Sequence, residues 1–193
     1  MTQLAAALSS LALPGERLCA LEQFCALFGK WNERINLSAA SNAAEISEHV
    51  RDSLHVVPHL PTSGTVVDVG SGGGLPVVVA AICLPGVQFT ALEPVHKKHA
   101  FLRTAARELG LPNLESFARR MEDHDADDHD AAMSRATFDI REWVFRGREL
   151  VKVGGLVIAF EAIPRDDIPV PFERHAYQFA GKQRAIIIAR RDA

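Results

Sequence analysis

The sequence of 193 residues has little of several features that would each point to a particular class of protein. Its three cysteines, Cys19, Cys25 and Cys83, fit neither a disulfide framework nor a metal-binding motif in number or spacing. The uncharged run Leu75–Phe89 is too short to cross a membrane and is interrupted by prolines and a glycine. The start of the chain lacks the basic residues of a secretory signal. We therefore expect buried free thiols, no membrane segment and a cytoplasmic protein.

The sequence also lacks an excess of one charge, since 21 Lys and Arg face 24 Asp and Glu. This balance excludes a polybasic, histone-like protein but does not exclude a nucleic-acid partner. Six of the acids lie in the stretch Met121–Asp130, and outside it 18 acids face 21 bases. The histidines and acids of that stretch fit no standard metal-binding loop, so we predict a solvated acidic segment and no metal site.

The first 60 residues have helical periodicity, whereas the remainder alternates short apolar runs with helix-length segments. Apolar side chains between Leu18 and Trp31 recur every three or four residues, and Ser47–Val57 is typical of a shorter helix. We predict a helical extension over residues 1–60 and an α/β domain over residues 61–193. The predicted strands are Thr65–Val69, Val87–Leu92, Leu114–Ala118, His129–Ser134, Gly155–Phe160, Arg174–Phe179 and Arg184–Ala189, and the predicted helices between the first five are Pro76–Leu84, Lys97–Leu109 and Arg141–Val151.

Strands that alternate with helices predict a parallel sheet that is covered on both faces. The last two predicted strands are separated only by Ala180–Gln183, which is too short for a crossover helix, so they should form an antiparallel hairpin. A seven-stranded, mostly parallel sheet with such an edge is typical of Rossmann-like methyltransferases. This is the fold class that we predict.

The segment Asp68–Pro76 (DVGSGGGLP) follows the first predicted strand and leads into a helix. Glycines at this turn let a ligand approach the backbone closely, and cofactors bind at this end of a doubly wound sheet. The third glycine of the dinucleotide fingerprint G-x-G-x-x-G is replaced by Leu75, which disfavours a nicotinamide enzyme. Gly70, Gly72 and Gly74 instead give the spacing G-x-G-x-G, which is typical of S-adenosylmethionine enzymes. A merely flexible turn is the alternative.

Two carboxylates accompany this loop. Asp68 stands two residues before the first glycine and could accept a hydrogen bond from the ammonium group of S-adenosylmethionine. Glu93 ends the second predicted strand and could accept from both ribose hydroxyls, a role that serves a nicotinamide cofactor equally well. Glu93 therefore indicates a nucleoside ligand but does not distinguish S-adenosylmethionine from a nicotinamide cofactor. The loop and its two acids together predict S-adenosylmethionine as the cofactor.

Several segments resemble the RsmG (GidB) family of S-adenosylmethionine-dependent enzymes, which methylate N7 of one guanine in bacterial 16S ribosomal RNA. The more specific matches are Asp68–Pro76, Asp52-Ser53-Leu54 and Ser134-Arg135-Ala136. Further matches are Lys30–Asn32 with Ile35–Ser38, His49–Leu54, Lys97–Leu102 and Arg119–Glu122. The resemblance extends from about Phe24 to the end of the chain.

The resemblance implies roles for individual residues. Gly70 and Leu75 would line the cofactor pocket, and Met121 and Glu122 would border the adenine. Arg135 would lie between the cofactor and the target base. Guanine N7 has a free lone pair and no proton, so its attack on the methyl group requires no general base. Arg135 is then the catalytic candidate, because it could donate a hydrogen bond to guanine O6. The alternatives are that Glu122 is a solvated acid and that Arg135 is a surface cation.

The implied partner is 16S ribosomal RNA or the 30S subunit. We expect the protein to be a monomer that does not associate with a membrane. Single-stranded or loop RNA suits the reaction, because N7 is hard to reach in the deep groove of an RNA duplex. Phosphate contacts would come from three groups of cations. They are Lys97, Lys98, Arg103 and Arg107; Arg141, Arg146, Arg148 and Lys152; and Lys182, Arg184, Arg190 and Arg191.

Two departures from the family pattern keep other functions open. Val77 stands where the family has glycine and could narrow the cofactor site, and Glu161 stands where a cation would face RNA. They allow a protein that binds S-adenosylmethionine or RNA without turnover, and a methyltransferase with another RNA or a small-molecule target is a second alternative. Asp52 and Ser53 have a structural alternative too, in which they only tie the N-terminal helix to the sheet.

Overall fold

A computed structural model describes residues 13–192, and the apolar, alanine-rich start of the chain lies outside them. The helices are α1 Gly15–Ile35, α2 Ala43–Leu54, α3 Val77–Cys83, α4 His96–Glu108 and α5 Ile140–Arg146. The strands are β1 Gly64–Val69, β2 Val87–Leu92, β3 Leu114–Phe117, β4 His129–Ser134, β5 Val151–Glu161, β6 Phe172–Phe179 and β7 Lys182–Arg190. Short 3-10 helices lie at Val57–His59, Met121–Asp123 and Gly147–Leu150.

The seven strands form one sheet in the order β3-β2-β1-β4-β5-β7-β6. The first five strands pair in parallel, whereas β7 pairs antiparallel to both β5 and β6. The predicted α/β fold, including its antiparallel edge hairpin, is confirmed. The strand order reverses between β1 and β4, and the loops that leave the carboxyl ends of these strands enclose a crevice there.

Both faces of the sheet are covered, because alternate side chains of each strand point to opposite sides. Val66 belongs to the core beneath α1, α2, α3 and α4, whereas the adjacent Val67 belongs to the core beneath α5. On the first side, Phe28 of α1 contacts Phe101 of α4 edge to face, at 5.8 Å between ring centres. On the second side, Trp143 of α5 donates from Nε1 to the carbonyl of Ile158 at 2.8 Å. The N-terminal helices therefore share one apolar core with the sheet.

Several predicted boundaries are wrong. The second helix begins at Ala43 rather than Ser47, because Asn42 caps it by accepting from the Glu45 N–H at 3.0 Å. The predicted helix Arg141–Val151 ends early, and β5 begins at Val151 rather than Gly155. The first residue of β5 pairs with the start of β4 before a shift in register, and Gly154 and Gly155 lie within this irregular stretch.

The cysteines differ from one another in exposure. Cys83 is buried and Cys25 is half-buried, but Cys19 is exposed on α1, so the expectation of three buried thiols is wrong. Burial raises the pKa of both Cys25 and Cys83 to about 11, which keeps these two thiols protonated and unreactive. None of the described helices is both long enough and apolar enough to span a membrane.

Candidate functional site

Two adjoining cavities of about 450 and 300 Å³ lie at the carboxyl ends of β1, β2 and β4. Gly70, Pro94 and Thr137 line both cavities, so the two are adjacent, and together they are named here the β1–β4 groove. Its larger part is lined by Phe28, Leu37, Ser38, Gly70–Gly73, Leu75, Glu93, Pro94, Lys98 and Arg135–Thr137. Its smaller part is lined by Val69, Gly70, Leu92, Pro94, Arg119–Glu122, Thr137, Phe138 and Arg146.

The glycine loop is held against its neighbours by backbone contacts. The N–H groups of Gly70 and Ser71 donate to the Leu92 carbonyl at 2.9 and 3.2 Å, which ties the loop to the end of β2. Gly70 has a φ of +73°, and a Cβ added there would lie 2.6 Å from Cγ2 of Thr137. The loops that follow β1 and β4 therefore touch at Gly70, where only glycine fits.

The predicted loop residues do not all reach the groove. Gly70, Gly72 and Leu75 line it, whereas Gly74 faces Val78 and Leu102 in the core. The position of Gly74 has a packing reason, since a Cβ there would overlap the side chain of Val78.

Asp68 lies at the end of β1, behind the loop, and is not among the residues that line either cavity. Its side chain is almost fully buried, with 1% of the residue exposed, and neither carboxylate oxygen has a hydrogen-bond partner among the described residues. Burial raises the pKa of Asp68 to about 7, although the nearby Ser71 hydroxyl and the charge of Arg135 act in the opposite direction. An unpartnered buried carboxylate is costly and fits a site that receives a cation such as an ammonium group.

Glu93 follows β2 and faces the groove, with 4% of the residue exposed. Oε2 accepts from the Gly72 N–H and Oε1 accepts from the Val95 N–H, both at 2.8 Å. These two bonds fix the orientation of the carboxylate, and each oxygen retains a lone pair for a further donor. Glu93 can therefore accept from the hydroxyls of a ribose.

Met121 and Glu122 lie together in the smaller part of the groove. Met121 is buried and supplies an apolar wall. Glu122 is exposed and forms an ion pair with Arg146, which also pairs with Glu142. A backbone N–H and the Arg146 guanidinium hold the pKa of Glu122 below its ordinary value. This part of the groove combines an apolar surface with a polar rim, as a nucleobase site requires.

Arg135 follows β4 and lines the larger part of the groove. Its Nη1 donates to Ser53 Oγ at 3.0 Å and to Asp52 Oδ2 at 3.4 Å. These contacts bring together two segments, Asp52-Ser53-Leu54 and Ser134-Arg135-Ala136, that lie far apart in the sequence. Burial lowers the pKa of Arg135, whereas the charges of Asp52 and Asp68 raise it.

Sequence reasoning about the site missed several residues that line the groove, among them Phe28, Leu37 and Thr137. Phe28 was assigned only to the amphipathic pattern of a helix, and Leu37 was only part of a matched segment. Thr137 was not singled out. The available signal for Leu37 was its place in the segment Ile35–Ser38, but nothing in a helical periodicity distinguishes the groove-facing Phe28 from its core neighbours.

The structure places both departures from the family pattern away from the groove. Val77 is fully buried in the core at the start of α3 and is not among the residues that line either cavity. Glu161 does not face solvent as expected but is buried, and both of its oxygens accept from Arg174 at 2.9 Å. Neither residue therefore narrows the groove or presents a negative charge to RNA.

The acidic stretch brings two histidines together without forming a metal centre. His124 and His129 stack with 3.1 Å between their Nε2 atoms, and burial lowers the pKa of each. Over residues 13–192, no group of three or more His, Cys, Asp or Glu is arranged to hold a metal ion.

The sheet order, the glycine loop with the buried Asp68 behind it and the Glu93 carboxylate at the β1–β4 groove define a Rossmann-like methyltransferase. The chain aligns over 97% of its length with an O-methyltransferase from Bacillus cereus crystallised with SAH, at a TM-score of 0.63 and 14% identity. It also aligns over 92% of its length with the S-adenosylmethionine-dependent methyltransferase SibL, at a TM-score of 0.63 and 15% identity. The aligned segments cover 96% and 73% of those two chains.

Residues 17–185 match the family described as GidB, rRNA small subunit methyltransferase G, and the chain belongs to this S-adenosylmethionine-dependent family. It is 39% identical over 161 residues to ribosomal RNA small subunit methyltransferase G of Methylobacillus flagellatus, covering 82% of this chain and 78% of the relative. It is 40% identical over 166 residues to the protein of the same description from Burkholderia pseudomallei, covering 81% and 72%. The resemblance found in the sequence motifs is confirmed.

Proposed function

We propose that this chain transfers the methyl group of S-adenosylmethionine to N7 of a guanine in 16S ribosomal RNA, acting as a monomer in the cytoplasm. The observation that carries the proposal is the β1–β4 groove, in which Glu93 faces the glycine loop, with the buried Asp68 carboxylate lying behind that loop. The choice of RNA rests on the family to which the chain belongs.

The groove residues have separate tasks in binding. Asp68 would hold the ammonium group of the methionine part, and Glu93 would hold the ribose hydroxyls. Met121 would pack against the adenine, with the Glu122–Arg146 pair at the rim. S-adenosylmethionine supplies, when bound, a methyl group on a positively charged sulfur.

The remaining residues would position the acceptor. Guanine N7 has a free lone pair at neutral pH, so no side chain has to remove a proton from it. The catalytic contribution is then the orientation of the base and the placement of charge. Arg135 would donate to guanine O6, which keeps N7 free to attack. Phe28 and Leu37 line the groove and would exclude water from the bound reactants.

The test is a methylation assay with isotope-labelled S-adenosylmethionine on unmodified 30S subunits, naked 16S RNA and 50S subunits. We expect label at N7 of one guanine of 16S RNA, located by chemical cleavage at 7-methylguanine. Label on another atom, or on the 50S subunit alone, would contradict the proposal. Arg135→Ala should abolish most of the transfer while cofactor binding persists, and unchanged transfer would contradict its role.

A further inference from the structure

One buried carboxylate of α2 connects the N-terminal helices to the β1–β4 groove. Asp52 is 3% exposed, and its Oδ1 accepts from the Tyr177 hydroxyl at 3.0 Å. Its Oδ2 accepts from Arg184 Nη1 at 2.8 Å and from Arg135 Nη1 at 3.4 Å. These three partners come from β6, β7 and the loop after β4, so Asp52 joins four separate parts of the chain.

The charges of this cluster do not cancel. One carboxylate faces two guanidinium groups, which would repel each other without it. Asp52 is the carboxylate that contacts both Arg135 and Arg184, whereas Tyr177 and Ser53 are neutral and the charge of Asp68 acts on Arg135 from behind the glycine loop. Removal of the carboxylate charge would therefore push Arg135 away from its present position.

Ser53 and Asp52 both act as hydrogen-bond acceptors for the Arg135 guanidinium. Ser53 Oγ donates its own hydrogen to the His49 carbonyl at 2.8 Å and therefore presents a lone pair to Arg135. Both side-chain hydrogen bonds of Arg135 engage Nη1, and its guanidinium carbon lies 5.8 Å from the centre of the Phe160 ring. Among residues 13–192, no hydrogen-bond partner engages its Nε or Nη2, and 19% of the side chain is exposed. The guanidinium is thus held at one corner while its other donors stay available to a ligand in the groove.

A purely structural role explains this arrangement poorly. Apolar side chains of similar size usually stabilise a buried contact as well as an ion cluster does, because burying charges has a large desolvation cost. The neighbouring contacts between the N-terminal helices and the sheet are apolar. The charged cluster around Asp52 occurs where α2 contacts Arg135, which lines the groove.

We propose that Asp52 is a positioning residue for methyl transfer, which together with Ser53 fixes the Arg135 guanidinium at the mouth of the β1–β4 groove. The N-terminal helical extension is then part of the site that receives the target base. The inference rests on the proposed function, in which Arg135 contacts the guanine.

The first test is a double-mutant cycle of Asp52→Asn and Arg135→Ala on 30S methylation. We expect Asp52→Asn alone to lower kcat 10- to 100-fold, with the affinity for S-adenosylmethionine within threefold of the wild type. In the Arg135→Ala background the same change should cost less than twofold, because the residue through which Asp52 acts is absent. Equal losses in both backgrounds, or parallel loss of cofactor binding and thermal stability, would overturn the inference.

Two further variants are matched controls. Tyr177→Phe removes one hydrogen bond from the same carboxylate but retains all three charges, so kcat should fall at most threefold. Asp52→Glu retains the charge on a longer side chain and should recover at least part of the rate lost in Asp52→Asn. A Tyr177→Phe loss as large as that of Asp52→Asn would indicate that packing, rather than the carboxylate, matters.

A readout independent of methylation separates this inference from the proposed function. Phenylglyoxal modifies arginines, and peptide mass spectrometry measures its rate at Arg135 alone. We expect modification of Arg135 to be at least fivefold faster in Asp52→Asn than in the wild type or in Tyr177→Phe. An unchanged rate would overturn the positioning role, whereas a wild-type protein that methylates no 16S RNA would overturn only the proposed function.

Discussion

Two regions of this molecule bury carboxylates in opposite ways. Near the antiparallel edge, Asp52 and Glu161 are buried against arginines that arrive from distant strands. Beside the glycine loop, Asp68 is buried just as deeply, but neither of its oxygens has a partner among the described residues. The paired carboxylates have protein partners for their charge, whereas the unpaired one fits the ammonium-binding role proposed for it.

The same contrast holds for the backbone. The loop region depends on glycine conformations and close approaches that leave no space for a side chain. The strands of the edge region, β5, β7 and β6, pair in regular antiparallel register, and charged side chains join them to α2 and to one another. The following predictions test this contrast, beginning with the largest expected effect.

Gly70→Ala should have the largest effect, because it combines left-handed backbone with overlap of the Thr137 side chain. We expect a loss of about 3–5 kcal/mol of unfolding free energy in urea and no measurable cofactor binding. Gly72→Ala is the matched control, since its φ is also positive but a Cβ there meets nothing closer than 3.8 Å. It should lose only about 1–2 kcal/mol. Equal losses would mean that contact with Thr137 is unimportant.

Glu161→Gln should be the largest effect at the antiparallel edge. Both oxygens of Glu161 accept from Arg174, and loss of the charge leaves that guanidinium without its bidentate partner. We expect a loss of about 2–3 kcal/mol in urea unfolding, below the value for a fully buried pair because Arg174 is partly exposed. Methylation measured well below the melting temperature should stay within twofold of the wild-type rate.

The exposed pair His175–Glu173 offers a control, and Glu173→Gln should change stability very little. A strong loss of methylation in the folded Glu161→Gln protein would contradict a purely stabilising role.

Asp68→Asn should affect binding more than stability. The affinity for S-adenosylmethionine, measured by calorimetry, should fall about 10- to 100-fold, or about 1.4–2.8 kcal/mol, because the ammonium group loses its partner. The variant should unfold at the same or a higher urea concentration, since a costly buried charge has been removed. A stability loss with unchanged affinity would reverse the contrast between the two regions.

The pH dependence follows from the raised pKa of Asp68. Its folded value of about 7 exceeds the unfolded value of about 4, so the folded state binds the extra proton between these limits. The free energy of unfolding contributed by this group should therefore fall as pH rises from about 4 to about 7. Over the same range the affinity for the cofactor should rise, because the ammonium group selects the ionised carboxylate. Ser71 and Arg135 lower the pKa of Asp68 and Glu93 raises it, so Asp68→Asn should flatten both profiles while those neighbours remain. A wild-type profile as flat as that of the variant would contradict this account.

Glu122→Gln should have the smallest effect. The Glu122–Arg146 pair is exposed, and such pairs contribute about 0–1 kcal/mol to stability. We expect less than a twofold change in cofactor affinity and no measurable shift in urea unfolding. Met121→Ala in the same part of the groove is the comparison variant and should weaken cofactor binding more, because it removes a buried apolar wall. A larger effect from Glu122→Gln would show that the rim carries specific recognition.

Sequence reasoning succeeded where structure depends on neighbours along the chain. Alternating apolar runs, the glycine spacing and the short connection Ala180–Gln183 set the sheet, the loop and the hairpin locally, and the structure contains each of them. It failed for Glu161, whose burial depends on Arg174 crossing from the neighbouring part of the sheet. Val77 was likewise predicted near the cofactor but is buried in the core.

The sequence by itself determined the fold class, the groove at the first glycine loop and the acids that accompany it, because strand periodicity and turn chemistry act over a few residues. Only the tertiary structure decided which buried carboxylates have a charged or hydrogen-bonding partner. Asp52 meets its arginine and tyrosine partners across 83, 125 and 132 residues, while Asp68 is buried without any such partner. The charges that surround a buried carboxylate arrive from every strand that packs beside it, and no local pattern contains that information.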